Sequence, residues 1–354
     1  MAMDVRFREL YDVKPGLNNL FLPIKCVRLF IRYTTRLFGY SISRRIFLSV
    51  VRLLNQLGSS RDISYINYLF RINTYNLQYR EALCKAGLMT AVKKKNEWAE
   101  YVISHSKSIK VRLNAKVYLS LLSRHGFYKH STSLSQPVIN LKLLNSFTNK
   151  KIYIYGPNAK HPPNLKYKDH LIVVLKPVEF NLTGFKEKLL IVNSVYYFTK
   201  MHNNNEYCSQ LLSTFDQVIV SSLSNIDRQF EKAKFPMSDN LSAPQALGRV
   251  IYNLIHRFGR FSCVVEGFDF YLDKAMYASY YPTLTRKKDK LDEQIVCSAL
   301  ADHDALFNFL YVKELCEYLN IHDSGDFKEL YTKSGKWYLE KLQEVRNFKL
   351  LKNL

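Results

Sequence analysis

The sequence predicts an α/β protein in which a doubly wound parallel sheet follows an all-α N-terminal domain. Short β-branched runs that end in Gly, Asn or Ser recur after residue 150, and apolar helical patterns separate them. Strands that alternate with helices in this way predict a parallel sheet. Earlier in the chain, residues 64–125 keep a helical period through several short segments. We therefore place a helical domain at residues 1–130, a polar linker around 126–147 and an α/β domain at 148–354.

The first predicted element is a basic amphipathic helix. No acidic residue occurs from Val13 to Arg61, where nine Lys and Arg residues stand. Three of these arginines lie four apart and share one helical face beside a wide apolar side. The pattern is typical of a helix in a membrane interface, although a basic helix packed on its own domain is the alternative. The candidate membrane-binding residues are Arg28, Arg32, Arg36, Arg44 and Arg45.

The positive charge of the chain is concentrated in its first half. The formal net charge is +22, and residues 1–150 carry 25 Lys and Arg against 7 Asp and Glu. The remaining residues carry 27 against 23. A field of one sign over half a protein attracts a polyanion or an anionic membrane. We expect an anionic membrane surface as partner, and no nucleic acid.

Composition excludes several classes of protein. The six cysteines form no CxxC pair and no cluster with zinc-ligand spacing, which predicts a reducing compartment without a disulfide framework or structural zinc. No stretch of 18 apolar residues is present. Residues 1–12 carry three acids and no apolar signal-peptide core, so we expect a cytoplasmic protein.

In the second half, the elements follow one another in a regular order. Strands are predicted at 151–155, 170–175, 189–192, 217–220 and 263–265, a helix facing the sheet at 244–258, and a long amphipathic helix at 305–319. Ligands of parallel α/β sheets bind beyond the carboxyl ends of the strands. The candidate ligand-binding residues at the ends of the first, third and fourth strands are Gly156, Pro157, Asn158, Asn193, Ser194 and Ser221.

The last of these strands ends in the most informative segment. It runs through Glu266 into Gly267-Phe268-Asp269-Phe270-Tyr271, and Tyr277 follows six residues after Tyr271. Gly267 can take backbone angles closed to other residues, so it can end the strand abruptly. An acid and two phenols then reach one region, with His303 coming later in the chain. This layout suits chemistry on an anionic substrate, although half-buried aromatic residues are the plainer interpretation.

Other nucleotide and catalytic motifs are absent. The chain has no GxGxxG fingerprint, no P-loop and no GxSxG elbow, which disfavours NAD, FAD, ATP and acyl transfer. Asp302-His303-Asp304 matches the DxD form of metal-dependent glycosyltransferases. An aspartate at a helix start is also favoured as an N-cap. His303 is the better candidate, as a neutral general base that takes a proton from an acceptor hydroxyl.

The segment Gly267–Tyr271, with Tyr277 six residues later and His303 before a long helix, resembles the bacterial sialyltransferases of the Campylobacter lipooligosaccharide type. More distantly it is similar to the animal sialyltransferases. The resemblance spans about residues 150–325 and implies a Rossmann-like domain, a sialyltransferase-like variant of the GT-A fold. Such enzymes need no cofactor and no metal. They transfer a sugar from its CMP ester.

The resemblance also implies residue roles. His303 would be the general base, and Tyr271 with Tyr277 would hydrogen-bond the departing phosphate of CMP. Two phenol donors stabilise that charge without a metal. The residues that would line the CMP-sugar are Gly156, Pro157, Asn158, Asn193, Ser194, Ser221, Gly267, Phe268 and Asp269.

Some residues depart from the family pattern. The first loop reads Gly156-Pro157-Asn158 in place of a Gly-Asn-Gly type, and Lys176 stands where the family tends to have Arg. Because these changes concern the transferred sugar, both sialic acid and Kdo are open as donors, with a glycan of a bacterial capsule or lipopolysaccharide as acceptor. The expected location is the inner face of the bacterial inner membrane. The alternatives are a non-catalytic scaffold that binds membranes or polyanions, and a metal-dependent DxD transferase.

Overall fold

The computed structural model describes residues 88–105, 109–129, 137–139, 141–157, 159, 161–175, 182–193, 196–202, 204–221, 226–234, 246–272, 304–322 and 325–346. The chain divides into two compact units, Met1–Glu81 and Ala82–Leu354, and the first lies wholly outside the described residues. The predicted basic helix with Arg28, Arg32, Arg36, Arg44 and Arg45 belongs to that first unit. Its membrane role therefore stays a prediction.

Seven strands form one sheet in the second unit. They are β1 (Phe147–Tyr155), β2 (Leu171–Leu175), β3 (Glu187–Asn193), β4 (Gln217–Ser221), β5 (Glu231–Lys232), β6 (Arg260–Glu266) and β7 (Asn320–Ile321). Their order across the sheet is β5-β4-β3-β2-β1-β6-β7, and all neighbours are parallel. The predicted Rossmann-like parallel sheet is confirmed. The edge strands β5 and β7 were not predicted, because two residues are too short to form a pattern.

The composition of the central strands explains their place in the sheet. All five residues of β2, Leu-Ile-Val-Val-Leu, are buried, and so are the last four of β1. Strands covered on both faces are apolar at successive positions instead of at alternate ones. Tyr153 and Tyr155 of β1 join a cluster of buried residues that also holds Cys208 and Leu211. The alternate residues Ile152 and Ile154 point to the opposite face and are equally buried.

Seven α-helices accompany the sheet in the described part of the chain. They are α1 (Leu88–His105), α2 (Ile109–Arg124), α3 (Asn205–Thr214), α4 (Ala246–Phe258), α5 (Ala305–Cys316), α6 (Gly325–Thr332) and α7 (Gly335–Val345). Cys208 and Leu211 place α3 on the tyrosine face of the sheet. The helix α4 contacts β1 and β6, and the predicted helix at 244–258 is therefore confirmed.

The helix α5 corrects one prediction. We expected an amphipathic helix over 305–319, but α5 ends at Cys316 and is buried on nearly all sides. The reason is that α2, α4, α6 and α7 all pack against it. A helix surrounded in this way needs no polar stripe. The hydrophobic pattern of a helix does not reveal how many neighbours will cover it.

The helices α1 and α2 pack on the C-terminal helices. The guanidinium of Arg124 in α2 donates to both carboxylate oxygens of Glu314 in α5, from Nε and Nη2, at 2.6 Å each. This fork-to-fork pairing fixes direction as well as distance. Both helices come from the region predicted to be helical, while the domain limits of 1–130 and 148–354 stay a prediction.

Candidate functional site

The carboxyl ends of β1 and β6 lie side by side inside the sheet, where β1 is the fifth of the seven strands in order and β6 the sixth. Tyr155 at the end of β1 is in register with Glu266 at the end of β6, and the amide of Gly156 donates to the carbonyl oxygen of Glu266 at 2.8 Å. From β1 the strand order runs outward through β2 to β5 on one side and through β6 to β7 on the other. This is the topological switch point, where the crevice of an open α/β sheet binds its ligand.

Two glycines allow the loops after β1 and β6 to touch. Gly267 has a φ of +76°, and a Cβ added there would lie 2.5 Å from the amide nitrogen of Ala159. A Cβ added at Gly156 would meet the carbonyl oxygen of Gly267 and lie 2.5 Å from Cε2 of Phe268. No side chain fits at either position without a shift. The structure thus brings together Gly156, Gly267 and Phe268, three of the predicted site residues, and Pro157 continues the first of these loops.

A strained turn follows Phe268. The amide of Leu272 donates to the carbonyl oxygen of Asp269 at 3.0 Å, and the two residues between them, Phe270 and Tyr271, have φ values of 49° and 68°. Positive φ at both central positions is the pattern of a type I′ turn, which usually holds Gly or Asn. Each non-glycine residue held in this way costs about 1–3 kcal/mol. Such strain clusters at functional sites.

Contacts from the end of the described chain hold this turn in place. The hydroxyl of Tyr338 in α7 donates to the carbonyl oxygen of Phe270 at 2.9 Å. Nε of Arg346, just after α7, donates to the carbonyl oxygen of Tyr271 at 2.8 Å. The ring of Phe270 packs edge-on against Phe309, with centroids 5.5 Å apart. Because the backbone is fixed at both strained residues, the start of the Tyr271 side chain is fixed at the edge of the switch point.

The carboxylate of Asp269 supports the same turn. Its Oδ1 accepts a hydrogen bond from the amide of Tyr271 at 3.1 Å. A short acidic side chain that bonds the backbone two residues later forms an Asx turn. Asp269, predicted to line the CMP-sugar, therefore has a structural role at this position as well.

Two residues at the switch point were not predicted as site residues. The hydroxyl of Tyr153, on β1, donates to Oε2 of Glu266, and the amide of Asn164 donates to the same hydroxyl at 3.3 Å. Burial raises the pKa of Tyr153 well above its ordinary value, and the bond to Glu266 adds to the rise. Burial also raises the pKa of Tyr155, with a further contribution from the charge of Glu266. The phenols stay protonated, and Tyr153 remains a donor to the carboxylate.

The predicted residues Asn193 and Ser221 lie farther along the same sheet edge. They end β3 and β4, and β2 separates both from β1. Oδ1 of Asn193 accepts from the amide of Tyr196 at 2.8 Å. Ser221 is buried, and its Oγ accepts from Nη1 of Arg249 at 2.5 Å. These residues share the carboxyl edge but do not meet the Gly156–Gly267 contact.

Of the residues predicted to act in catalysis or to bind the CMP-sugar, four lie outside the described residues: Asn158, Ser194, Tyr277 and His303. Whether Tyr277 and His303 converge with Tyr271 stays a prediction.

Asp304, directly after the predicted base, is described. It caps α5 with Oδ1, which accepts from the amide of Phe307 at 3.1 Å, and its φ is 48°. Its Oδ2 lies 2.9 Å from Nζ of Lys95 in α1. The predicted N-cap role of Asp304 is confirmed, and both of its oxygens are engaged.

The comparisons with known proteins give no further assignment. No protein-family model, curated protein or solved structure matches the chain. Within the described ranges, His, Cys, Asp and Glu residues form no group of three that could hold a metal ion. Within the same ranges, no helix combines the length and the apolar character needed to cross a membrane.

Proposed function

We propose that this protein is a glycosyltransferase that moves a sialic acid or Kdo from its CMP ester to a hydroxyl of a bacterial surface glycan, such as capsule or lipopolysaccharide. The observation that carries the proposal is the switch point. There the loops of β1 and β6 touch through Gly156 and Gly267, and the strained turn that contains Tyr271 begins two residues after Gly267. A sugar nucleotide fits a crevice of this kind at the carboxyl edge of a parallel sheet.

In the proposed reaction, the acceptor hydroxyl oxygen attacks the anomeric carbon of the sugar. The bond from that carbon to the phosphate oxygen breaks, and the electron pair leaves with CMP. Tyr271 and Tyr277 donate hydrogen bonds to the departing phosphate, and His303 takes the proton of the acceptor hydroxyl. The proposed reaction needs no metal ion, because the two phenols donate hydrogen bonds to the negative charge that develops on the departing phosphate.

Asp304 argues against the metal-dependent alternative. A DxD site needs free carboxylate oxygens on both aspartates, but Oδ1 of Asp304 caps α5 and Oδ2 pairs with Lys95. Transfer that persists in excess EDTA supports the metal-independent reaction. Transfer that stops with EDTA and returns with a divalent cation favours the alternative.

Binding of CMP tests the proposal directly. Titration calorimetry of the full chain with CMP should show saturable binding, and a donor screen should show transfer from CMP-sialic acid or from CMP-Kdo. A folded protein that binds neither CMP nor either donor contradicts the proposal and supports the scaffold alternative.

Membrane association is a separate part of the proposal, supported by the charge of residues 1–150. Anionic vesicles should float the full chain but not a chain that lacks residues 1–60, and that shorter chain should keep CMP binding. Equal flotation of both chains contradicts the role of the arginines at positions 28 to 45.

A further inference from the structure

The side chain of Glu266 is the last of β6 and stands at the switch point, yet the proposed reaction does not use it. Along β6 it alternates with buried positions on the tyrosine face: Val264, two residues earlier, belongs to the same cluster as Tyr153 and Tyr155. Glu266 itself is partly exposed. It is therefore a partly exposed carboxylate at the point where β1 and β6 end.

The orientation of this carboxylate is fixed from the protein side. Tyr153 donates to Oε2, and the Tyr153 ring is held by Tyr167 and Phe185, whose ring centroids lie 4.8 Å and 6.1 Å away. The amide of Asn164 bonds the Tyr153 hydroxyl from a further direction at 3.3 Å. The ring of Tyr153 is held by its two aromatic neighbours, and its hydroxyl oxygen already accepts from Asn164. The hydroxyl hydrogen therefore points to Glu266 and fixes the orientation of the carboxylate.

The second carboxylate oxygen of Glu266, Oε1, differs from Oε2 in its contacts. Oε1 makes no hydrogen bond to any residue that the structure describes, and it is not among the buried polar atoms that lack a partner. It is thus reachable from solvent. An ionised carboxylate only accepts hydrogen bonds, so its ligand must offer O–H or N–H groups and cannot be a phosphate, which the negative charge repels.

We propose that Glu266 binds the ribose hydroxyls of the donor nucleotide and so orients it in the crevice. The inference rests on the proposed function. Neighbouring hydroxyls of a ribose are donors that a single carboxylate accepts well, whereas the phosphate belongs on the Tyr271 side. Glu266 thereby sets the direction of the nucleotide, with the ribose over the ends of β1 and β6 and the leaving phosphate toward the strained turn.

The test compares Glu266→Gln with the wild-type chain by titration calorimetry against CMP, 2′-deoxy-CMP, 3′-deoxy-CMP and UMP. Glutamine keeps the shape and an acceptor for Tyr153 but loses the charge. Because hydrogen bonds to a charged group are strong, CMP and UMP should bind the variant about tenfold to a hundredfold more weakly. At least one deoxynucleotide should lose less than about threefold. The control Glu187→Gln removes an exposed carboxylate that pairs with Lys150 on the surface, and should bind all four ligands like the wild type.

Several outcomes overturn the inference without touching the proposed function. Unchanged CMP affinity in the variant removes Glu266 from the site. Equal losses for CMP and both deoxynucleotides show an effect on the fold of the loop instead of a ribose contact. A loss for CMP with UMP spared assigns the carboxylate to the cytosine amine. By contrast, a wild-type chain that binds no nucleotide overturns both proposals.

A second measurement serves if the Glu266→Gln chain does not fold. The wild-type chain alone should bind 2′-deoxy-CMP or 3′-deoxy-CMP about tenfold more weakly than CMP. Equal affinities for all three contradict a ribose contact. Tyr153→Phe, which frees the carboxylate to rotate, should reduce the difference in affinity between CMP and the deoxynucleotides, and should change the affinities for CMP and UMP by the same factor.

Discussion

The ammonium group of Lys95 lies 2.9 Å from the carboxylate of Asp304, and both side chains are buried. The pair joins α1 to the first residue of the described chain after His303. It also holds Asp304 in a left-handed backbone conformation, with φ at 48°. A buried ion pair at this place fixes the start of α5.

Replacing Lys95 by Met should lower the free energy of unfolding by about 3 kcal/mol. The change leaves the buried carboxylate of Asp304 without its counter-charge, and breaking one side of a buried pair typically costs about 3–5 kcal/mol. Urea unfolding measures the effect. The neighbouring Lys94→Met is the control, because Lys94 forms an exposed ion pair with Glu97. Losing that pair should lower the free energy of unfolding by less than about 1 kcal/mol. Equal effects of the two variants would contradict the assigned role of Lys95.

Gly267→Ala should destabilise the protein and abolish CMP binding. Gly126 offers a matched control, since its φ is 78° but nothing lies within 4 Å of an added Cβ, whereas Gly267 at 76° meets Ala159. Left-handed backbone alone costs an alanine about 1–2 kcal/mol. The additional clash at Gly267 should add about 1–3 kcal/mol. Thermal unfolding and calorimetry check both variants, and a Gly267→Ala chain that still binds CMP like the wild type contradicts the loop contact as a binding element.

Tyr338→Phe should weaken the fold and slow transfer, each by about the same free energy. The ring of Tyr338 stacks on Phe309 with centroids 4.3 Å apart and stays in place, but the hydrogen bond to Phe270 is lost. One such bond contributes about 1 kcal/mol. If the bond holds the strained turn, kcat should fall about fivefold. Tyr128→Phe loses a comparable bond to Glu100, away from the sheet, and should keep the kcat of the wild type.

His303→Ala should lower kcat by about a hundredfold or more, since a positioned general base contributes at least that factor. CMP affinity should change little, because the base touches the acceptor and not the nucleotide. Steady-state transfer and calorimetry separate the two effects. His322→Ala, at an exposed histidine after β7, is the control. Unchanged turnover in His303→Ala would remove this residue from the proposed mechanism.

Alkaline pH should lower the free energy of unfolding, because Tyr197 then ionises. Burial raises the pKa of Tyr197 to about 12, and its hydrogen bond to Asp227 adds to the rise. An unfolded tyrosine ionises near pH 10. The folded state therefore binds this proton more tightly, and the stabilisation is complete below about pH 10 and is lost as the pH rises to about 12.

The difference in unfolding free energy between the wild type and Tyr197→Phe measures this contribution. It should be constant below about pH 10 and shrink above it. Urea unfolding over the alkaline range provides the data. A difference that does not change up to about pH 12 contradicts the assignment.

Local sequence patterns were sufficient to predict the strands of the sheet, but not the contacts that build the candidate site. The central strands were predictable because each contains a continuous apolar run. Gly156 and Gly267 were predictable because they directly follow β1 and β6. The bond between Tyr153 and Glu266 spans 113 positions, which no local pattern reveals. The left-handed turn at Phe270 and Tyr271 contains no glycine that would predict it. It depends on Tyr338 and Arg346, which come much later in the chain.

The order of the strands has a consequence for the time at which the crevice forms. During synthesis, β1 can pair with β2 as soon as both have left the ribosome, but its other neighbour, β6, is made about a hundred residues later. Until then one edge of β1, an interior strand of the finished sheet, is open to unwanted partners. Pairings between distant residues also form slowly. The ends of β1 and β6 are therefore among the last parts of the molecule to come together, and a ligand that binds there would select chains that have completed their folding.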